Sequence, residues 1–285
     1  MTTSEDVDVT TTPQIYGASE LGVLSVTAPG AAHPRVEYVG GELFVGLLED
    51  GVVVTQGQID DAARPFRDAV VDAVASDTSL PQPAGGVILI EDDEAVAAGI
   101  LIEPERIAAA TLAGDPVVFA LSRSAVAIVG ADDEAGIGRV LDLAEALFDA
   151  GGALVSAHPI ILIDGAWAPF RWKERFPALE LRIERVLRLF SVRAYEAQSA
   201  ALARPDVHLA DPKIQVREDG VTLTFAAWPK GTATLLPVVD NVIIADPAGN
   251  VSVTTMGQFL DAAGDAVVRT GLSPLRYFVP GAAPR

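Results

Sequence analysis

Three histidines, two acidic clusters, a glycine-rich turn and an island of arginines are the groups in this chain whose types and spacing invite a chemical reading. Glu91 to Glu94 (Glu-Asp-Asp-Glu) and Asp132 to Glu134 (Asp-Asp-Glu) offer oxygen ligands to a divalent cation, yet neither has the Asp-x-Asp-x-Asp-Gly spacing of a calcium loop. Carboxylates at helix starts are ordinary, because the first amides need acceptors and the helix dipole favours negative charge there. Both clusters are therefore read as helix-start charge and solvated turn. Gly130, Gly136 and Gly138 imitate a phosphate loop but supply neither Gly-Lys-Ser/Thr nor Gly-x-Gly-x-x-Gly, and three neighbouring carboxylates repel phosphate. His158 precedes Pro159 at a strand entrance. A serine nucleophile would need it beside a serine and a carboxylate, and no Gly-x-Ser-x-Gly elbow marks that serine. His208, between Asp206 and Asp211, reads as a solvated linker residue rather than a pH-sensitive contact. With zero cysteines and histidines only at 33, 158 and 208, no disulfide frame, thiol chemistry or multi-histidine metal site is expected. No residue is assigned as catalytic, cofactor-binding or metal-ligating. Trp167, Trp172 and Trp228 read as plugs at the edge of a core rather than as the lining of a groove.

The arginines run against the rest of the molecule. Arg171, Lys173, Arg175, Arg182, Arg185, Arg188 and Arg193 face only Glu174, Glu180 and Glu184 over the same span, a local +4 in a chain of net charge −19. On the helix expected there, Ile183, Val186, Leu187 and Phe190 point one way, so Arg182, Arg185 and Arg188 fall on its flanks or opposite face. Two roles follow for those three. They pair with the chain's own carboxylates and staple the helix, or they remain unpaired as a docking patch for an acidic partner whose binding weakens with salt.

Composition narrows the classes further. Half of the 285 residues are hydrophobic, enough for a sizeable core in one large or two small domains. Thirty-nine acidic against 20 basic residues disfavour binding to nucleic acid or an anionic membrane, since both require neutralising phosphate with Lys and Arg. Neither a basic segment followed by an apolar core at the start nor a bilayer-length apolar run is found, so the expected compartment is the cytoplasm.

The elements that position these groups alternate between the two periodicities. Pro116 to Leu121 and Ala125 to Val129, parted by Ser122-Arg123-Ser124, predict a central hairpin. Ile137, Val140, Leu141, Ala144, Leu147 and Phe148 recur at helical spacing up to Gly151-Gly152, with Phe148 expected in the core. Ile160 to Ile163 and the Asp164-Gly165 turn follow. Upstream, Val36 to Tyr38, Leu43 to Leu48 and Val52 to Thr55 predict a three-stranded meander, then a helix over Ile59 to Val74. Gly86 to Ile90 and Gly99 to Ile102 read as strands on either side of the Glu91 to Glu94 turn, and Pro104 opens a short helix to Leu112. Downstream come a long helix over Leu181 to Ala203 and a hairpin of Ile214 to Arg217 with Val221 to Ala227, where Val221, Leu223, Phe225 and Ala227 are expected on the buried face.

Gly114-Asp115-Pro116, the strand ending in Ala125 to Val129, the acidic turn with Gly136, the amphipathic helix, His158-Pro159 and Asp164-Gly165 to Pro169-Phe170 together resemble the YtpQ-like family of bacterial proteins, a domain of unknown function. Ile100-Leu101-Ile102 and Pro104 upstream fit the same pattern, as do Tyr195-Glu196-Ala197-Gln198 and Trp228-Pro229-Lys230-Gly231 downstream. The resemblance covers residues 85 to 280. It implies an α+β fold and a soluble intracellular protein, and carries over no catalytic or binding residue.

The expected fold is thus α+β, hairpin-rich sheets packed with amphipathic helices. The order strand, strand, helix, strand over Pro116 to Ile163 recurs over Ala233 to Val279, from a duplication or from chance similarity of two common units. The expected organisation is a flexible tail over 1–33, an α+β region over 34–172, and the long helix with a second α+β module over 173–285. Two function classes remain. One is a non-catalytic intracellular bacterial protein acting through protein–protein interaction, with no cofactor; the other is a hydrolase-like enzyme whose carboxylates and His158 meet only in three dimensions. A flat surface with an uncovered apolar patch favours the first, and a cleft holding acidic groups of displaced pKa the second.

Overall fold

Paired residues of positive φ set two of the hairpin turns: Asp50 and Gly51 at 48° and 79°, and Asp164 and Gly165 at 50° and 76°. Both sets suit the twist of antiparallel strands, and Asp-Gly is the dipeptide that tolerates them. The computed structural model describes residues 10–58, 65–74, 80–108, 110–203 and 206–281. Its first half runs β1 (Thr11–Gly17), α1 (Ala18–Thr27), β2 (Val36–Gly40), β3 (Leu43–Glu49), β4 (Val52–Val53), α2 (Phe66–Asp72), β5 (Val87–Ile90), α3 (Glu94–Ile102), α4 (Glu105–Ala108), β6 (Pro116–Ala120), β7 (Val126–Gly130) and α5 (Glu134–Asp149). The second half runs β8 (Ile160–Ile163), β9 (Ala166–Pro169), α6 (Trp172–Arg175), α7 (Glu180–Leu202), β10 (His208–Leu209), β11 (Lys213–Val216), β12 (Thr222–Pro229), β13 (Thr234–Pro237), β14 (Asn241–Ala245), β15 (Val251–Thr255), α8 (Met256–Ala263), β16 (Val268–Arg269) and β17 (Arg276–Val279). The protein is α+β, with antiparallel and mixed sheets beside its helices.

The chain divides into two compact units. The first takes residues 10–18, 28–140 and 158–170, and the second residues 19–27, 141–157 and 171 onward. The expected change near 172 falls at 170, but two earlier stretches also belong to the second unit.

In the first unit β3 lies between β1 and β2, with β4 pairing its far end, so the expected meander is present and gains a strand. That added strand corrects the tail expected over 1–33. From Thr11 to Gly17 it is paired along the whole of β3, and Ile15 and Tyr16 are buried. A short strand covered on both faces shows no alternation, which is why its sequence reads as featureless. The part of the tail over residues 1–9 lies outside the described residues, as does 59–64 of the expected helix, whose described part is α2 behind Pro65. The five-stranded sheet has the order β5-β7-β6-β8-β9, with the β6–β7 hairpin central as expected. Gly99 to Ile102, expected as a strand, is instead the end of α3. Asp93 caps that helix, its side chain accepting from the Val96 amide at 3.0 Å. Ala97 to Leu101 are all buried, and a fully buried helical turn has the same composition as a buried strand.

The second unit holds the sheets β10-β13-β17-β16 and β11-β12-β14-β15, the latter with β12 and β14 parallel. Strands β6 and β7 pair with one another, whereas β13 and β14 lie in different sheets, and β15 and β16 interrupt the second stretch, so neither the pairing nor the order of elements is shared. The core gathers Ala226, Leu236, Val242, Met256, Phe259 and Val279. Beside it sits a cation: Arg276 is fully buried. Its Nε donates to Gln198 at 2.6 Å, Nη1 to the carbonyls of Ala210 and Leu235 at 2.7 and 3.0 Å, and Nη2 to the Tyr195 carbonyl and Ser199 hydroxyl at 3.2 and 2.7 Å. All five donors of the guanidinium are thereby used. Phe148, expected in the core, is half-buried; the guanidinium of Arg193 lies over its ring at 4.8 Å.

Candidate functional site

The arginines of α7 are placed first by the helix itself. Ile183, Val186 and Phe190 are buried, so Arg182 and Arg185 flank the stripe, and each meets a carboxylate of α5: Arg182 meets Asp142 at 2.5 Å and Arg185 meets Glu145 at 3.8 Å. Arg188 forks onto Asp240, Nε to Oδ2 and Nη2 to Oδ1 both at 3.0 Å, and also bonds Glu184, which Lys173 shares. Asp240 in turn accepts the Thr224 amide and hydroxyl at 2.7 and 2.8 Å. Burial pushes the Asp240 carboxyl up, but the bonds from Arg188 and Thr224 outweigh it and hold the group below the ordinary carboxylate range. Glu184 is lowered in the same way, burial being outweighed by Lys173 and Arg188. All three candidate docking arginines therefore have partners within the chain.

The acidic clusters serve as helix starts. Asp93 caps α3, and the Gly136 amide donates to Asp133 at 2.8 Å at the start of α5. Among the described residues no group of three or more histidines or carboxylates is arranged to hold a metal ion. His158 comes to 3.9 Å from Glu42, with the two side chains 54% and 45% exposed. Trp172 is buried, and Trp228 packs edge-on against Phe259 at 5.5 Å. Trp167 behaves otherwise than expected. Its indole, fixed by a 2.8 Å bond from Nε1 to the Leu101 carbonyl, is one wall of a cleft of about 440 Å3 in the first unit. The other walls include Tyr38, Val39, Val70, Val71 and Ile102, and Arg67 and Glu37 at its edge are paired at 3.1 Å. No histidine lines this cleft. Among the described residues, the carboxylates whose pKa is displaced, Glu184, Asp240 and Asp246, are all lowered and lie in the second unit.

The feature that breaks the ordinary rules is the sheet β11-β12-β14-β15. Along β12 it is Thr222, Thr224 and Ala226 that are buried, at 2%, 7% and 1% exposure, while Leu223 and Phe225 are half-buried and Ala227 is exposed. The expected buried face is thus the outer one. Thr224 points inward because Asp240, held by Arg188, needs its amide and hydroxyl, and a one-residue alternation then turns every neighbour the other way. Registers carry the pattern across the sheet. Phe225 lies beside Lys213 and Asn241, Ala227 beside Ile243 and then Val253, and Pro229 beside Ala245 and then Val251. The last strand is the most open, with Val251 66% and Val253 59% exposed. Lys213 is the single charged residue among the outward positions of the four strands. The ends carry both signs: Arg217 with Asp219 at 3.1 Å and Glu218 at one, Lys230 and Asp246 at the other.

Fold and surface together define an α+β protein with an open apolar sheet face. No family model, curated protein or solved structure matches the chain, so residue chemistry alone carries the functional argument. Sequence reasoning found the β11–β12 hairpin but assigned its faces by hydrophobicity. The available signal was Thr222 and Thr224 in the same alternation, of which Thr224 bonds the Asp240 carboxylate.

Proposed function

We propose that this chain is a non-catalytic intracellular bacterial protein that works by binding another protein molecule, which docks on the outer face of the β11-β12-β14-β15 sheet. The carrying observation is that Leu223, Phe225, Ile243, Val251 and Val253 share that face without being buried, whereas the buried inner face holds Thr222 and Thr224 beside Ala226 and Val242. A contiguous apolar patch is costly in water and is the feature by which soluble proteins present interaction sites. Its composition sets the partner's chemistry: an apolar centre with a rim of both signs, rather than a nucleic acid or an anionic membrane, which a chain of net charge −19 repels. Arg182, Arg185 and Arg188 enter this reading as a secondary docking patch for an acidic partner, which would have to take them from Asp142, Glu145 and Asp240. The likeness of the residue pattern to the YtpQ-like family would imply an intracellular protein and carries over no catalytic or binding residue. Among the described residues, no helix is long and apolar enough to cross a membrane.

Replacing Val251 and Val253 together by glutamate tests the reading. Because both side chains are more than half exposed, thermal stability should change little. Partner recovery from the native cell should be lost, and recovery equal to wild type would overturn the proposal.

A further inference from the structure

Building on that docking face, we infer that its occupant is a second copy of this chain, packed sheet on sheet as a two-fold dimer. Charge supplies the first argument. Two copies of net charge −19 repel wherever carboxylates meet carboxylates, and the outward positions of this sheet hold none. Stacked sheets sit about 10 Å apart, so this face brings the copies together with a single charged position, Lys213 on the edge strand β11, to be accommodated in each.

Self-complementarity of the ends supplies the second argument. An isologous contact sets residue i on residue j and j on i. A two-fold axis lying across the strands places the Arg217, Glu218 and Asp219 end of one copy over the Lys230 and Asp246 end of the other, and does so twice. Lys230 then faces Glu218 and Asp219, and Arg217 faces Asp246. The two-fold repeats each such contact, so one complementary pairing of the ends counts twice.

Size sets the expected affinity. Four strands about 4.8 Å apart and four side-chain rows about 6.8 Å apart make a plane of roughly 300 Å2. Its apolar positions lie beside Lys213, Gln215, Asn241 and Thr255, so it is the mixed centre of an interface whose usual extent is roughly 800 Å2 per partner, the polar ends supplying the remainder. A concentration-dependent dimer is expected, with dissociation constant on the order of micromolar.

Sedimentation velocity of the full chain between about 1 and 100 µM reads the mass against the 29.7 kDa of one copy. The wild type should pass from one copy to two, and Val251→Glu with Val253→Glu should weaken the dimer by about a hundredfold or more. Lys230→Glu and Glu218→Lys should each weaken it by about tenfold, while the chain carrying both should recover wild-type association. That recovery reports the facing of the two ends, which general loss of structure cannot imitate. A wild type that stays single at the highest concentration overturns the dimer. In that case, loss of partner capture by the double-glutamate variant leaves the docking reading standing, and unchanged capture removes both. A dimer that persists in the double-glutamate variant also overturns the inference, because the contact then lies elsewhere.

Discussion

Burying a guanidinium with no exposed surface is tolerable only if every donor finds an acceptor, and Arg276 meets that condition through residues 41 to 81 positions away. Desolvation pushes its pKa down, and Asp211, at 4.0 Å, and Tyr195 oppose that shift. An arginine nevertheless stays protonated across the accessible pH range, so its role is to tie α7 to β13 and β17. Arg276→Met should destabilise the protein by about 3 kcal/mol or more in urea unfolding, since it leaves several buried acceptors unpaired at about 1 to 3 kcal/mol each. Arg276→Lys should recover little, since an ammonium has three donors and no planar fork. A loss below about 1 kcal/mol for either would mean that the bonds contribute no more than those of the unfolded chain to water. None of this was legible beforehand. Leu275 to Val279 reads as an ordinary apolar strand with one polar position, and the acceptors of that position are scattered over distant elements. The threonines of β12 were hidden for the same reason: Thr224 is inward only because Asp240 and Arg188 are already there.

At the scale of elements, α7 was legible in part. Its stripe holds at Ile183, Val186 and Phe190, but Leu187 is only half-buried, and further along Tyr195 and Gln198 are buried while Ala197 is exposed. Periodicity favours alanines over glutamine, whereas the Arg276 network draws Gln198 inward. Of the three candidate arginines, Arg182 and Arg185 make exposed pairs, worth about 0 to 1 kcal/mol each, and Arg188 makes a forked bond on the sheltered Asp240. Replacing all three by glutamine should therefore cost about 2 kcal/mol at neutral pH, nearly all of it reproduced by Arg188→Gln alone. Acid should act through the same pair. Asp240 and Glu184 have lowered pKa values when folded, so their contribution is complete above the ordinary carboxylate range of about 4 and is lost as pH falls through their lower folded values. Urea unfolding of wild type and Arg188→Gln should consequently converge as pH falls below about 4. An equal gap at both pH values would show that the arginine acts by packing, not charge.

The charge of the whole molecule acts against these local pairs, and distance decides between them. Spreading 19 net negative charges over 14821 Å2 leaves about 780 Å2 for each, a mean spacing of roughly 28 Å. That spacing is close to the Debye length of about 30 Å at 0.01 M salt and well beyond the roughly 8 Å at 0.15 M. Self-repulsion is therefore felt in dilute buffer and screened at physiological ionic strength. The exposed ion pairs respond in the opposite sense, but with separations of a few ångströms and low individual worth they lose little over the same range. Repulsion should win. The midpoint of thermal unfolding should rise between about 0.01 and 0.15 M sodium chloride and then flatten, since little repulsion is left to remove. Measured at a protein concentration below the dimerisation range, the rise is free of any contribution from association. A midpoint that falls over this interval would mean that the arginine pairs of α7, rather than the surplus of carboxylates, govern how the molecule responds to salt.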